Sequence, residues 1–267
     1  MKLLFIRHGD PDYEKDSLTE KGWHEAELLG QRMANTPVTA FYVSPLGRAK
    51  DTASKTLQKV GRDATELAWL REFHAPIPDF HTGEPRIAWD QLPADWTAEP
   101  KYYDKTRWSE TLPMLQGHVI DEAKRVWNGL DEILTQHGYE RENNFYRAVQ
   151  PNEETLAFFC HFGVTCVMLS HLLGISPMIL WHGFCAAPTS VTSLITEERR
   201  EGVALFRMNA FGDTAHLYAN QEEPAFAARF CEMYANQEQV TTDTDNQTAI
   251  TQKRHFSKSA VFLVMLF

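Results

Sequence analysis

Apolar positions along the chain fall into two patterns that alternate: short unbroken runs, and longer stretches with steps of three and four. The first pattern marks buried strands and the second amphipathic helices. Lys2 to Ile6 is a strand-like run bounded by Gly9 and Pro11, and a helix is expected from about Thr19. Ser17 or Thr19 serves as its N-cap, Ser17 and Glu20 have capping-box spacing, and Trp23, Ala26, Leu29, Gly30 and Met33 share one face. Thr39 to Val43 is the next strand. Ser44-Pro45 is expected to open a second helix that reaches about Val60, with a proline at its first position. Thr65 to Leu70 reads as a third strand ending at Arg71-Glu72. From Phe73 to about Leu115 the period dissolves into Pro, Trp, Tyr and charge, so an irregular insertion is expected there.

The clearest helix follows, with Val119, Ile120, Ala123, Val126, Trp127, Leu130, Ile133 and Leu134 on one side. Thr155 to Cys160 is a fourth strand, leading through His161 and Gly163 into an apolar helix that ends near Gly174. Strands at Ser190 to Thr196 and Val203 to Met208, then a helix over Glu222 to Tyr234, close the pattern. Such alternation predicts a three-layer α/β/α fold with a mostly parallel central sheet. The domain is expected to occupy 1–235, with 73–150 as a lid or specificity region, and 236–267 to be a polar, disordered tail. That tail ends in the apolar run Ala260 to Phe267.

Composition narrows the function. With 267 residues, 43% of them hydrophobic, the chain can bury a substantial core. A formal charge of -10 argues against a nucleic-acid partner held by a broad basic face. Cys160, Cys166, Cys185 and Cys231 lack CxxC spacing, which favours reduced thiols in a cytoplasmic protein. Arg7 interrupts the opening apolar run before a signal peptide's core would be complete, and the terminal run is far too short to span a bilayer. No export and no membrane partner are therefore expected.

In open α/β sheets, ligands bind beyond the carboxyl ends of the strands. Arg7 and His8 follow the first strand, Arg48 lies in the first turn of the helix after the second, Glu72 follows the third and His161 the fourth. Two guanidiniums and two imidazoles at one edge, beside helix N-termini, suit a phosphate-like anion. A protonated Glu72 there could donate to a leaving oxygen, although Asp10, Glu14 or an acid of the insertion are alternatives.

"FIRHGDPDY", "SLTEKG", "SPLGRAKDTA", "LRE" and "CHFGV", in this order, resemble the histidine phosphatase (phosphoglycerate mutase-like) superfamily over roughly Met1 to Glu72 and Glu154 to Met208. The resemblance implies that His8 is the nucleophile that becomes phosphorylated, that Arg7, Arg48 and His161 bind the phosphoryl group, and that Glu72 is the proton donor. Phe162 stands where members often show glycine, and Tyr13-Glu14 where many carry an Asn. The expected activity is metal-independent hydrolysis of a small phosphomonoester, without a cofactor, with Arg7, Arg48 and a protonated His161 supplying positive charge. Phosphoryl transfer between hydroxyls, as in a mutase, and a catalytically silent phospho-ligand binder are the alternatives. His182 and Cys185 in "WHGFC" lack the spacing of a metal site. Lys101, Tyr102, Tyr103, Lys105, Arg107 and Trp108 are candidate lid residues, and Asp213 and His216 in "GDTAH" candidates for the pocket rim.

Overall fold

The first strand shows how the layers are built. In the computed structural model, which describes residues 1–226, β1 spans Lys2–Arg7 and its side chains alternate between two cores. Leu4 and Ile6 join Phe41, Val43, Ala157 and Phe159 against Leu29, Met33, Ala49 and Ala53. Leu3 and Phe5 join Tyr42, Leu156 and Phe158 on the opposite face, against Ala123, Val126, Leu130, Val164 and Val167.

The two-residue strands β2 (Pro11–Asp12) and β3 (Ser17–Leu18) form a small ribbon leading into α1 (Glu20–Ala34). Thr19 caps that helix, its side chain accepting from the Gly22 N–H, as the capping pattern predicts. Strand β4 (Ala40–Val43) is followed by α2 (Gly47–Val60), which begins two residues later than expected. Ser44 is not its cap, because the Ser44 hydroxyl is directed to His161 instead. Strand β5 is only Thr65–Glu66, and a 3-10 turn at Ala68–Leu70 replaces the rest of the predicted strand.

The insertion is more ordered than its pattern suggested. It contains the ribbon of β6 (Pro76–Pro78) and β7 (Pro85–Ile87), the short helices α3 (Pro93–Thr97) and α4 (Leu112–Gln116), and 3-10 turns at Pro100–Tyr103 and Trp108–Glu110. Phe73, Ile77, Trp89, Tyr102, Trp108 and Met114 are all buried in the main core. Helix α5 (Val119–Gln136) carries the predicted apolar face, and an unforeseen hairpin, β8 (Tyr139–Glu142) with β9 (Phe145–Ala148), follows it. Next come β10 (Thr155–Cys160), α6 (Phe162–Leu173), α7 (Pro177–Gly183), β11 (Val191–Arg200), β12 (Val203–Asp213) and α8 (Ala215–Tyr218).

The main sheet has the order β5-β4-β10-β1-β11-β12-β9-β8. It is parallel from β5 to β1, as expected for the core of an α/β fold, and β11, β12, β9 and β8 extend it antiparallel. Because Arg7 pairs with Cys160 and Phe159 with Val43, the carboxyl ends of β1, β10 and β4 finish level. Residues 222–226 are not helical, so the described start of the expected last helix is absent; the rest of that helix and the expected tail lie outside the described residues.

This final stretch lies along α1. Lys21 contacts the Glu222 carboxylate and the Glu223 carbonyl, and the Ala225 N–H donates to Glu25 Oε1 at 2.7 Å. Burial raises the Glu25 pKa from 4.5 to about 7, against the Ala225 N–H and the nearby Lys21 ammonium and with help from Asp10. A carboxyl raised on folding contributes stability in acid that is lost as pH rises from the ordinary value through about 7. Glu25→Gln should therefore match wild type near pH 4 and exceed it by up to about 3 kcal/mol near pH 8. Urea unfolding at the two pH values measures this; an equal difference at both would contradict it.

Candidate active site

Strand β1 delivers Arg7 and His8 to the sheet edge, where the backbone is clamped on every side. The Arg7 N–H donates to the Ser190 carbonyl at 3.1 Å, the His8 N–H to the Cys160 carbonyl at 3.0 Å, and the Thr189 N–H to the His8 carbonyl at 3.1 Å. The Gly9 N–H donates to Thr52 Oγ1 at 2.9 Å. Glycine is required at position 9, where a Cβ would meet the Gly22 carbonyl oxygen at 2.8 Å.

His8 is buried, and its Nδ1 lies 2.8 Å from the Gly9 carbonyl oxygen. A carbonyl only accepts, so Nδ1 carries the proton and the neutral ring keeps its lone pair on Nε2. Burial lowers the His8 pKa well below the ordinary range, and Arg48 and Arg7 push it further down. These causes favour the neutral ring, in which the lone pair lies on Nε2.

His161 stands at the N-cap of α6, fully buried, its ring centroid 5.1 Å from that of His8. Its Nε2 is 2.7 Å from Ser44 Oγ, whereas Nδ1 has no partner among the described residues. Burial, then Arg48, His8 and Arg7, hold its pKa well below the ordinary range. These neighbours favour the neutral ring over the expected imidazolium, which places the positive charge of the site on the two arginines.

Arg7 is buried, donating from Nη1 to the Ala186 carbonyl, with its guanidinium 5.7 Å from the Phe162 ring centroid. Arg48 donates from Nη1 to Asp16 Oδ1 at 2.7 Å and lies 5.5 Å from the Tyr13 ring centroid. Asp16 Oδ2 accepts the Gly47 N–H at 2.6 Å, so one carboxylate both anchors the first turn of α2 and aims Arg48.

Glu72 is half-buried, and its carboxylate meets the first turn of α6. It accepts from the Phe73 N–H at 2.7 Å, the Val164 N–H at 2.9 Å and, more weakly, the Gly163 N–H at 3.3 Å. Burial nevertheless raises its pKa, outweighing those donors and Arg48. Gly163 leaves the room this needs, since a Cβ there would lie 2.8 Å from Glu72 Oε1 and 2.9 Å from Trp89 Nε1. Among the alternative acids, Asp10 is engaged by Thr19, whose hydroxyl donates to its Oδ2 at 2.6 Å.

Arg7, His8, Arg48, Glu72 and His161 are thus neighbours, linked through ring contact, shared electrostatics and the start of α6. Other candidates lie elsewhere. His182 donates from Nδ1 to the Met178 carbonyl and accepts the Gln91 N–H, which accounts for both ring nitrogens. Tyr102 and Trp108 are packed core residues rather than mobile lid residues, while Tyr103, Lys105 and Arg107 are exposed. His216 is not at the rim but buried behind His8, 3.1 Å from Thr189 Oγ1. Ser44, Asp16, Thr52 and Thr189 were missed. Ser44 has the residue type of a helix cap, and nothing in the local pattern pairs a threonine at 52 or 189 with a strand end at 8.

Known proteins resemble this chain in family and fold. The profile of the histidine phosphatase superfamily (branch 1) matches residues 3–209. The mitochondrial serine/threonine-protein phosphatase Pgam5 of Caenorhabditis briggsae is 35% identical over 91 residues, 31% of this chain and 32% of that protein. The chain therefore spans about a third of that relative's length. A probable phosphoglycerate mutase GpmB of Serratia proteamaculans is 22% identical over 151 residues, 52% of this chain and 70% of that one. Among solved structures, a phosphoserine phosphatase mutant from Entamoeba histolytica in complex with phosphoserine has a TM-score of 0.53 at 21% identity, covering 81% of this chain and 98% of that chain. At that identity the likeness concerns the fold.

Proposed function

The chain belongs to the histidine phosphatase superfamily (branch 1), and from that premise we propose that it is a metal-independent phosphatase that hydrolyses a small phosphomonoester through a phosphohistidine on His8. The observation that carries this reading is the fixed tautomer of His8, neutral, with Nδ1 held by the Gly9 carbonyl and Nε2 left as a nucleophile. Attack by Nε2 on phosphorus forms the N–P bond as the P–O bond to the alcohol breaks; water then displaces the imidazole and releases phosphate. Arg7 and Arg48 carry the charge that builds on the equatorial oxygens, and a dianion held between them would favour an added proton on His161. Glu72, whose pKa burial raises, gives its proton to the departing oxygen. The insertion 73–150 shapes the entrance and sets which alcohol is accepted.

Glu72→Gln tests the proton donor. An alkyl phosphate has a poor leaving group and needs the proton; an aryl phosphate with an acidic phenol hardly does. The variant should lose roughly 100-fold or more in kcat on the alkyl ester and far less on the aryl ester, both in the presence of EDTA. The wild-type profile for the alkyl ester should fall as Glu72 ionises, above the ordinary carboxylate range. Equal losses on both esters would remove Glu72 from this role.

The GpmB relative supports a second reading, return of the phosphoryl group to another hydroxyl. Incubation with a phosphoglycerate separates the two: free phosphate marks the phosphatase, and an isomerised phosphoglycerate the mutase.

A further inference from the structure

The "GDTAH" segment, which adds nothing to the phosphate pocket, leads to His8 from behind. Thr189 is buried, and its φ of 57° places a β-branched residue in the left-handed region, where such side chains are rarely found. Strain of this kind persists only where the surroundings over-determine it. Here they do. The Thr189 hydroxyl donates to the Pro188 carbonyl at 2.7 Å, so the oxygen can accept from a second group, and His216 Nε2 lies 3.1 Å away. Arg32 Nη1 faces His216 Nδ1 at 3.4 Å; a guanidinium only donates, so Nδ1 is the acceptor and Nε2 carries the proton. Arg32 is itself held by Asp213 Oδ2 at 2.6 Å. Burial and Arg32 lower the His216 pKa to about 4, which keeps this tautomer across the neutral range.

The far side of Thr189 is its backbone N–H, which donates to the His8 carbonyl. The same loop supplies the Ala186 carbonyl to Arg7 and the Ser190 carbonyl to the Arg7 N–H. A line of hydrogen bonds thus runs from the Arg32–Asp213 ion pair through His216 and Thr189 to the backbone of the nucleophile.

We infer that His216, acting through Thr189, is a positioning residue for the phosphorylated histidine: it holds the 186–190 loop in the one conformation that sets His8 Nε2 in line with phosphorus. The inference rests on the reading of His8 as nucleophile. The line from His216 enters position 8 at its carbonyl through the Thr189 N–H, whereas the loop meets Arg7 through Ala186 and Ser190, so in-line geometry is expected to suffer more than phosphate affinity. In-line attack is sensitive to displacements of about 1 Å.

The experiment compares wild type with His216→Ala and His216→Gln, the glutamine amide nitrogen replacing Nε2 as donor to Thr189 Oγ1. Steady-state hydrolysis of an aryl phosphate, inhibition by inorganic phosphate and the His8 imidazole nitrogen resonances are measured at a temperature where all three proteins are folded. His216→Ala should lower kcat at least about tenfold with KM and phosphate inhibition nearly unchanged, and His216→Gln should recover most of the loss. The His8 resonances should show the Nδ1-protonated tautomer in wild type and His216→Gln and a mixture in His216→Ala. An unaltered kcat, a parallel rise in KM, or unchanged His8 resonances in His216→Ala overturns the inference. Should wild type itself fail to hydrolyse the ester, the phosphatase reading falls, while the resonances still decide whether His216 orders His8.

Discussion

Replacing His8 by Ala should abolish phosphomonoester hydrolysis, with kcat falling by about four orders of magnitude or more. Two features of the site make the loss so large. On the proposed mechanism the imidazole carries the reacting atom, so its removal deletes the covalent route rather than weakening it. The other imidazole does not substitute, because His161 Nε2 is engaged by Ser44 Oγ at 2.7 Å. The variant should fold, since alanine fits the same strand end and all the backbone bonds at position 8 remain. A phosphate-release assay, with circular dichroism to confirm folding, measures this. Residual activity within a factor of ten of wild type would remove His8 from the chemistry.

The second large effect belongs to Arg48. Arg48→Ala should lower kcat/KM by about 100-fold to 1,000-fold, the range seen when one preorganised donor to a transition-state oxygen is deleted. Arg48→Lys should recover little. A guanidinium is a rigid planar donor, so one that is held by Asp16 would meet a phosphoryl oxygen in a fixed orientation, whereas an ammonium at the end of a flexible stem would not. Stability should change little, because Asp16 is 43% exposed and its Oδ2 keeps the Gly47 N–H. Steady-state kinetics with parallel thermal unfolding separates the two effects, and an Arg48→Lys variant with wild-type kcat/KM would contradict the proposed geometry.

These expectations start from positions that were already legible in the sequence. A parallel strand must end at the same edge as its neighbour, so the apolar runs of β1, β4 and β10 are enough to place Arg7, His8 and His161 together. Helices α1 and α5 were legible for the same reason, a periodic apolar face packed on a sheet. What escaped was non-periodic. The insertion buries Phe73, Trp89, Tyr102 and Trp108 one at a time in the main core; Trp108 and Phe73, for example, meet Trp181 at ring-centroid distances of 5.8 and 5.3 Å. Such contacts leave no repeat to detect. The hairpin of β8 and β9 is too short to show one, and its turn is marked by Asn143-Asn144, with Asn143 at φ 55°.

Within the site, the first line of residues was legible and its supports were not. Ser44 has the residue type and following proline of a helix cap, so local rules assigned it to the helix; the structure gives its hydroxyl to His161. Asp16, Thr52 and Thr189 approach the site from three separate segments, Asp16 holding Gly47 31 residues along the chain, Thr52 holding Gly9 43 residues away and Thr189 reaching back to His8, and no spacing rule connects them. The charge state of His161 was likewise invisible, because it depends on burial between two guanidiniums.

The central claim is covalent chemistry at one nitrogen. Mixing the protein with a phosphomonoester, quenching in alkali within the first turnover and mapping the modified peptide by mass spectrometry tests it most directly. The account predicts an alkali-stable, acid-labile phosphoryl group on His8 that appears and decays at rates consistent with turnover. A phosphoryl group on any other residue would contradict it, as would turnover by His8→Ala at the wild-type rate.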